Sequence, residues 1–283
     1  MDPCRVRDPR PVDATIAFFD AFAPRYESWA AGLHVRIARR LVEWVAPLPG
    51  EHVLDAGCGT GLVSNRAAEL VWPGGRVVGL DVSMGMLELA AARAPANATY
   101  QLIHLQDRLP LPGRSFDLVT FGDSLPYLDE PFAMLEEARR VLRPGGRIGL
   151  SLRQRSLVTE AQRVFFRLLE EDLTEAHPLV IPRDPREERG RLGEPEVISE
   201  LLDYAGFGPP RITQLVTGLK LRSGLAWIDL VQGAGPRPHA LLSTLGPALR
   251  AQLASALERE MAGLGEDALR YHEAFIFVVA PAL

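Results

Sequence analysis

The sequence predicts an α/β fold in which helices cover both faces of one mostly parallel, doubly wound sheet. Two observations predict it: short apolar runs alternate with amphipathic helical patterns, and the first apolar run leads into a turn with three glycines. Strands that are apolar along their whole length are typical of a parallel sheet buried on both faces. Right-handed crossovers then make the doubly wound arrangement the simplest topology.

Two helical patterns precede the first predicted strand. The second pattern places Leu33, Ile37, Leu41 and Val45 on one helix face, and the stretch PLPGE ends it. Residues 1–14 carry charges and prolines where a secretory signal would have an apolar stretch, so we expect a flexible arm and a cytoplasmic protein.

Strand and helix patterns alternate from Val53 onward. In chain order they are the strand HVLDAG, the helix LVSNRAAELV, the strand RVVGLDVS, the helix MGMLELAAARA, the strands TYQLIHL and FDLVTFGD, the helix PFAMLEEARRVLRPGG and the strand RIGLSLR. A helix from about residue 157 to 172, a charged loop, the helix in EPEVISELLDYAGFG and the strand RITQLVTGLKL follow. More helices are expected in 222–270, and EAFIFVVAPAL closes the chain as a strand beside the previous one at the edge of the sheet.

These elements predict a single domain over residues 15–283. Its seven-stranded, Rossmann-like sheet is mostly parallel with an antiparallel last strand, and helices without a place on its flanks fold over the strand ends as a helical lid. The expected parts are N-terminal helices in 15–50, the core in 51–154, lid or insertion helices in 155–193 and 222–270, and the end of the sheet in 194–221 and 271–283.

Composition excludes several classes of protein. The chain has 283 residues and is 47% hydrophobic, which is enough for a sizeable core, and no apolar run reaches the roughly 20 residues of a membrane span. A net charge of −5 argues against a nucleic-acid partner, because binding phosphates requires a basic face. The two cysteines, Cys4 and Cys58, indicate neither a disulfide framework nor a metal site.

The glycine turn VLDAGCGTG predicts a close approach by a ligand or by another part of the backbone. Glycine has no Cβ and tolerates positive φ, and the helix that follows offers free N–H groups at its positive end. Asp81 ends the second predicted strand twenty positions after Gly61, where a carboxylate can accept hydrogen bonds from ribose hydroxyls. A cofactor that contains ribose is the leading interpretation; a tight turn without a ligand and a helix-end charge at Asp81 are the alternatives.

Two ribose-containing cofactors compete, a nicotinamide dinucleotide and S-adenosylmethionine. Gly57, Gly59 and Gly61 form G-x-G-x-G, whereas the dinucleotide fingerprint is G-x-G-x-x-G. Asp55 would repel a pyrophosphate but would attract an ammonium group, directly or through water. The methionine part of S-adenosylmethionine carries such an ammonium group, so the pattern favours this cofactor, with S-adenosylhomocysteine as its product.

Four stretches together resemble the successive motifs of class I S-adenosylmethionine-dependent methyltransferases, close to the ubiquinone/menaquinone C-methyltransferase-like group. They are VLDAGCGTG, GLDVSMGMLELA, LPLPGRSFDLV and ARRVLRPGGRIGLS, and AFAPRYESWA resembles the entry segment of that group. The resemblance covers about residues 15–152. The alternatives are a cofactor-binding protein of this fold with a non-methyl reaction, and an NAD-dependent oxidoreductase.

The resemblance implies a set of cofactor-binding residues. Gly57, Cys58 and Gly59 would line the methionine moiety, Asp81 would bind the ribose, and Tyr26 would close over the methionine end. The resemblance further assigns the border of adenine or ribose to Val82, Ser83 and Met86.

One position departs from the family pattern. Leu105 stands where the family usually has an aspartate that reaches adenine. Either Gln106 or Asp107 takes over that contact through a small local shift, or backbone and apolar contacts hold adenine.

Methyl transfer from a sulfonium is an in-line displacement, and a general base is needed only where a hydroxyl acceptor must lose its proton. The candidate bases are Tyr127, Asp123 and His34; His104 and His177 are weaker candidates. Tyr127 ranks first, because the segment FGDSLPYL leaves the fourth strand where it borders the methyl group.

The same segment lacks the Asn/Asp-Pro-Pro-Tyr run of many nucleobase and glutamine methyltransferases. With the acidic net charge, this favours a small-molecule acceptor. By analogy with tailoring enzymes, the composition and the lid suggest secondary metabolism. Residues 222–270, with Trp227, form either an apolar pocket roof or a packed helical unit without ligand contacts.

Overall fold

The computed structural model describes residues 11–105, 108–154, 159–176 and 191–283. Its strands are β1 His52–Ala56, β2 Arg76–Asp81, β3 Ala98–Leu102, β4 Phe116–Gly122, β5 Leu142–Arg153, β6 Arg211–Lys220 and β7 Arg270–Pro281. They form one seven-stranded sheet in the order β3-β2-β1-β4-β5-β7-β6. The first five strands pair in parallel, and β7 runs antiparallel to both of its neighbours. The predicted fold class is therefore confirmed.

The predicted place of the last strand is wrong in one respect. β7 lies beside β6, as expected, but it is inserted between β5 and β6, and β6 is the edge strand. The physical reason is burial: β7 is buried along almost its whole length, while β6 is exposed or only partly buried at every position. A strand that is apolar on both faces is more stable with neighbours on both sides.

Ten α-helices flank the sheet in the described residues. They are α1 Pro11–Tyr26, α2 Leu33–Val45, α3 Leu62–Val71, α4 Met84–Ala92, α5 Pro131–Val141, α6 Glu160–Ala176, α7 Pro195–Tyr204, α8 Gly224–Gln232, α9 Pro236–Ser243 and α10 Pro247–Met261. α1 starts inside the segment expected to be an arm, and residues 1–10 lie outside the described part. None of the described helices combines the length and the apolar character needed to cross a membrane.

Two predicted boundaries move. α5 ends at Val141 rather than at the glycines, because Leu142 already pairs with Phe116 of β4. β3 ends at Leu102, so His104 follows the strand instead of lying within it.

Successive residues of the central strands point to opposite faces of the sheet and belong to two hydrophobic clusters. Val53 packs in one cluster and Leu54 in the other. Trp227 of α8 belongs to the first cluster and is fully buried between Phe165 and Tyr271, with ring centroids 6.3 Å and 5.5 Å away. The helices of 222–270 thus pack against one another and against α6, with Trp227 in contact with Tyr271 of β7.

Candidate active site

The three glycines of the turn after β1 all have positive φ, at 75° for Gly57, 53° for Gly59 and 81° for Gly61. The backbone N–H groups of Gly57 and Cys58 both donate to the Leu80 carbonyl of β2, at 2.7 Å and 2.9 Å. The turn is therefore attached to the neighbouring strand where both strands end.

The surroundings of these glycines differ. A Cβ at Gly57 would lie 2.3 Å from the Ser124 Cβ, and one at Gly61 would lie 2.7 Å from the Tyr100 hydroxyl. A Cβ at Gly59 would meet no atom within 4 Å. Protein packing thus accounts for two of the glycines, while Gly59 faces open space.

Asp81, at the end of β2, borders the same open space as Gly59. One carboxylate oxygen accepts the N–H groups of Val82 and Ser83, at 2.8 Å and 2.9 Å, and the other accepts the N–H of Gly59 at 2.8 Å. Burial raises the pKa of Asp81 above its usual value, although these N–H donors oppose the shift. Since a carboxylate has about four acceptor positions, room for a further donor remains on the oxygen bound to Gly59.

Asp81 lines the larger of two adjoining cavities, whose volumes are about 840 Å³ and 410 Å³ including space that reaches solvent. The larger is lined by ten of the candidate site residues that the sequence singled out: Tyr26, His34, Gly57, Gly59, Asp81, Val82, Met86, His104, Asp123 and Tyr127. The smaller is lined by two others of that set, Asp55 and Cys58. The two cavities share Tyr26, His34, Gly57, Gly122 and Asp123.

Asp55 lies at the back of the smaller cavity and is almost completely buried. Its carboxylate accepts the hydroxyls of Ser64, at 2.6 Å, and Thr120, at 2.7 Å. Burial raises its pKa to about 6, against the effect of these two donors. Cys58 lines the same cavity, and burial followed by the charges of Asp55 and Asp81 raises the pKa of its thiol.

Comparison with known proteins decides the family. A family model described as a methyltransferase domain matches residues 53–146. Over 259 residues the chain is 32% identical to the nocamycin O-methyltransferase of Saccharothrix syringae. The alignment covers 86% of this chain and 89% of that protein. The chain belongs to the S-adenosylmethionine-dependent methyltransferases.

Two further comparisons agree. The methyltransferase is 38% identical over 137 residues to the demethylmenaquinone methyltransferase of Symbiobacterium thermophilum, covering 46% of this chain and 55% of that enzyme. Phosphoethanolamine N-methyltransferase 2 of Haemonchus contortus, solved with S-adenosyl-L-methionine, has the same fold, with a TM-score of 0.55 at 18% identity over 93% of this chain and 57% of that one.

The residues around the cavities fit S-adenosylmethionine. The open space at Gly59 lets a ligand approach the backbone, and the Asp81 carboxylate borders the larger cavity. In the smaller cavity, the buried Ser151 hydroxyl has no hydrogen-bond partner among the described residues and can serve a polar ligand group. The cofactor contributes an electrophilic methyl group on a sulfonium.

Two of the expected cofactor residues fall outside the described part, and one has another contact. Gln106 and Asp107 are not among the described residues, nor is His177. The buried Ser83 lines neither cavity; its hydroxyl accepts the Met86 N–H at 3.2 Å as the N-cap of α4.

Helix α1 covers the larger cavity and is attached at two places. Asp20 accepts the Ser83 hydroxyl at 2.6 Å and the Gly85 N–H at 3.0 Å, at the start of α4. Glu27 pairs with Arg93, which also donates to the Thr60 carbonyl at 3.0 Å. These contacts hold the N-terminal helix of the methyltransferase over the carboxyl ends of the strands.

Tyr26 and His34 form an aromatic stack at the junction of the cavities. Their ring centroids are 3.9 Å apart with nearly parallel planes, and Trp29 stacks on the same imidazole at 5.1 Å. His34 Nδ1 lies 2.9 Å from the Tyr26 carbonyl, which can only accept, so Nδ1 carries the proton and Nε2 is the basic nitrogen. Burial lowers the pKa of His34 to about 4, and burial followed by the charge of Asp123 raises that of Tyr26.

The weaker candidate His104 is exposed and lines the larger cavity. Sequence reasoning missed two residues at this site. Phe19 of α1 lines the larger cavity and meets Tyr127 edge to face at 5.3 Å. Arg153, the last residue of β5, lies behind Asp123. Neither residue belongs to a sequence motif that marks it as functional.

Residues 222–270 do not line either cavity, as far as the described residues show. The segment approaches the site at three points in the described residues. The Leu230 carbonyl accepts the indole N–H of Trp29 at 3.2 Å. A Cβ at Gly235 would lie 3.5 Å from the Tyr127 hydroxyl, and the ring of His239 meets Phe18 of α1 at 5.2 Å. The segment supports α1 and Tyr127 from outside.

Proposed function

We propose that the enzyme methylates an acidic hydroxyl group, an enol or a phenol, of a small secondary metabolite. The cofactor's adenosine occupies the larger cavity, with Asp81 as the ribose acceptor, and its methionine end extends into the smaller cavity beside Asp55. The nocamycin O-methyltransferase aligns with this chain over 89% of its own length, and this similarity supports an oxygen atom as the methyl acceptor.

The observation that carries this proposal is the oriented, uncharged imidazole of His34 at the junction of the two cavities. Its Nε2 is available to accept a proton when an acceptor hydroxyl attacks the methyl group. Burial makes His34 a weak base, so proton transfer to it is less unfavourable from an acidic hydroxyl, which favours enols and phenols over alkyl alcohols.

Tyr127 and Asp123, the other two candidates, have supporting roles in this proposal. Tyr127 lines the larger cavity, where its hydroxyl orients an acceptor by hydrogen bonding. The edge-to-face pair of Phe19 and Tyr127 provides an apolar wall for a planar acceptor.

Labelled methyl transfer tests the proposal. The protein is incubated with methyl-labelled S-adenosylmethionine and matched sets of phenols, enolic 1,3-dicarbonyls, alkyl alcohols and amines. We expect label in the first two sets, and a decrease in kcat of roughly 10²-fold or more for His34→Gln with the affinity for S-adenosylhomocysteine retained.

Tyr127→Phe is the matched control, because it removes one polar group from the same cavity. It is expected to raise KM more than it lowers kcat. Equal methylation of amines and phenols, or an unchanged kcat in His34→Gln, contradicts the assignment.

A further inference from the structure

A cluster of three charged side chains, each at most 16% exposed, lies behind the junction of the two cavities. The Arg153 guanidinium is 2.9 Å from a Glu273 carboxylate oxygen and 3.7 Å from an Asp123 carboxylate oxygen. Only 16% of the Arg153 side chain is exposed, and its guanidinium lies 5.4 Å above the ring of Phe275. Tyr271 donates its hydroxyl to Glu273. In the described part of the chain, two carboxylates of this cluster thus accompany one guanidinium.

Asp123 is the member of this cluster that reaches the site. Among the described residues, it is the only one with a charged side chain that lines both cavities. Its φ of 54° is left-handed, a conformation that costs a non-glycine residue about 1–2 kcal/mol. Its N–H donates to the Ser151 carbonyl at 3.0 Å, which fixes this strained conformation against β5. Strain of this kind concentrates at functional sites.

We propose that Asp123, held in place by Arg153, stabilises positive charge at the methyl-transfer position and so makes the site prefer the cationic cofactor to its neutral product. The inference rests on the proposed function, which puts adenosine in the larger cavity and methionine in the smaller one. The atom that joins these two parts is the sulfur, and it then lies at the junction that Asp123 lines.

The Asp123 carboxylate affects binding both before and after methyl transfer. Transfer breaks the bond between methyl carbon and sulfur and forms the bond between methyl carbon and the acceptor oxygen, while the electron pair of the broken bond stays on sulfur. The sulfonium becomes an uncharged thioether, so its attraction to Asp123 disappears. In a poorly hydrated site that attraction is large, and its loss favours release of the product.

Arg153 acts as a positioning residue. Tyr26 of α1 and His34 of α2 line both cavities together with Asp123, and Tyr127 of the segment after β4 lines the larger cavity. Arg153 of β5 lies behind Asp123 and pairs with Glu273 of β7. Among these groups Arg153 supplies the positive charge, because His34 is neutral above its lowered pKa. Burial alone would lower the pKa of Arg153, but Glu273 and Asp123 raise it, so the guanidinium stays charged.

Calorimetric titration with S-adenosylmethionine and S-adenosylhomocysteine tests the proposal without an acceptor. The quantity of interest is the ratio of the two dissociation constants. Asp123→Asn keeps the size of the side chain and tolerates the left-handed backbone. We expect it to weaken binding of the cationic ligand, relative to the neutral one, by about tenfold or more. Glu273→Gln is the matched control: it removes the same charge from the cluster, lines neither cavity, and is expected to change the ratio by less than about threefold.

Arg153→Met and Arg153→Lys give the second test. Without a cation, the buried Asp123 carboxylate gains a proton more readily, so in Arg153→Met the preference for the cationic ligand declines as the pH falls from about 8 to about 5.5. Arg153→Lys retains the charge and is expected to keep the preference nearly constant over this range.

The outcomes separate the two proposals. If the unmodified protein binds neither ligand, the proposed function fails. If it binds both and Asp123→Asn weakens them equally, Asp123 is a structural residue and the present inference is overturned. If Asp123→Asn binds neither ligand, the variants Arg153→Met and Arg153→Lys decide. An identical dependence of the ratio of dissociation constants on pH in these two variants overturns the inference.

Discussion

Gly57 lies against Ser124, and a Cβ added to the glycine would be only 2.3 Å from the serine Cβ. Ser124 also donates its hydroxyl to the Ala56 carbonyl at 2.7 Å. This contact joins the turn after β1 to the segment after β4, which contains Asp123 and Tyr127. The glycine is therefore required for the two halves of the site to meet, whether or not a ligand is bound.

Gly57→Ala is expected to destabilise the protein without ligand by about 2–5 kcal/mol, the sum of overpacking and of a left-handed alanine. The double variant Gly57→Ala with Ser124→Gly should recover the part of this stability loss that comes from overpacking. Gly50→Ala is the control, because Gly50 has a φ of 85° and a Cβ there would meet nothing within 4 Å. It should cost only about 1–2 kcal/mol in urea unfolding. Equal losses for Gly57→Ala and Gly50→Ala would show that the contact with Ser124 is unimportant.

Asp81 has both a structural and a proposed ligand-binding role, and two variants separate them. Asp81→Ala is expected to weaken binding of S-adenosylhomocysteine by about 1.5–3 kcal/mol, the range for hydrogen bonds to a charged group. Asp81→Asn retains one acceptor for the backbone N–H groups and should lose less stability in the absence of ligand. Calorimetry and thermal unfolding measure the two effects. Affinity that stays within about twofold in both variants would leave Asp81 with its backbone role alone.

The two attachments of α1 should differ in strength. Asp20 bonds a buried hydroxyl and a helix N-terminal N–H, so Asp20→Ala should cost about 1–2 kcal/mol. Arg93 is half-exposed, so Arg93→Met should cost under about 1 kcal/mol despite its pair with Glu27. Hydrogen exchange of α1 amides and binding of S-adenosylhomocysteine provide the readouts. A larger effect at Arg93 than at Asp20 would reverse this order.

His34 and Asp55 should affect acid stability with opposite sign. The native pKa of His34 is about 4, below its usual 6.5, so the unfolded chain binds the extra proton and stability is lost as the pH falls through this window. The native pKa of Asp55 is about 6, above its usual 3.8, so the native state binds the extra proton and stability is gained as the pH falls. Each contribution is up to roughly 3 kcal/mol, so they nearly cancel.

Single variants should reveal each contribution. Relative to the unmodified protein, Asp55→Asn should lose more stability between pH 6.5 and 4, and His34→Gln should lose less. Urea unfolding at both ends of this window measures the difference. Parallel stability profiles for all three proteins would mean that neither pKa is shifted in the native state.

Several features of this methyltransferase follow from the sequence alone. The alternation of apolar strands and amphipathic helices predicts the α/β class, and the glycine turn with Asp81 indicates the cofactor. These signals are local, because each can be recognised in a short stretch of consecutive residues. They are side-chain periodicity, a turn that needs positive φ, and an acid at the end of a strand.

Tertiary structure decides what depends on residues far apart in the chain. The insertion of β7 between β6 and β5 reflects burial on both faces of the sheet. Gly59, rather than Gly57, faces open space because Ser124 fills the position beside Gly57. His34 lines both cavities and Arg153 lies behind them, each on an element with no sequence motif. Their protonation follows from burial and from neighbours such as Glu273, more than a hundred residues from Arg153 in the sequence. Desolvation and packing exist only once the chain has folded, so no periodicity can encode them.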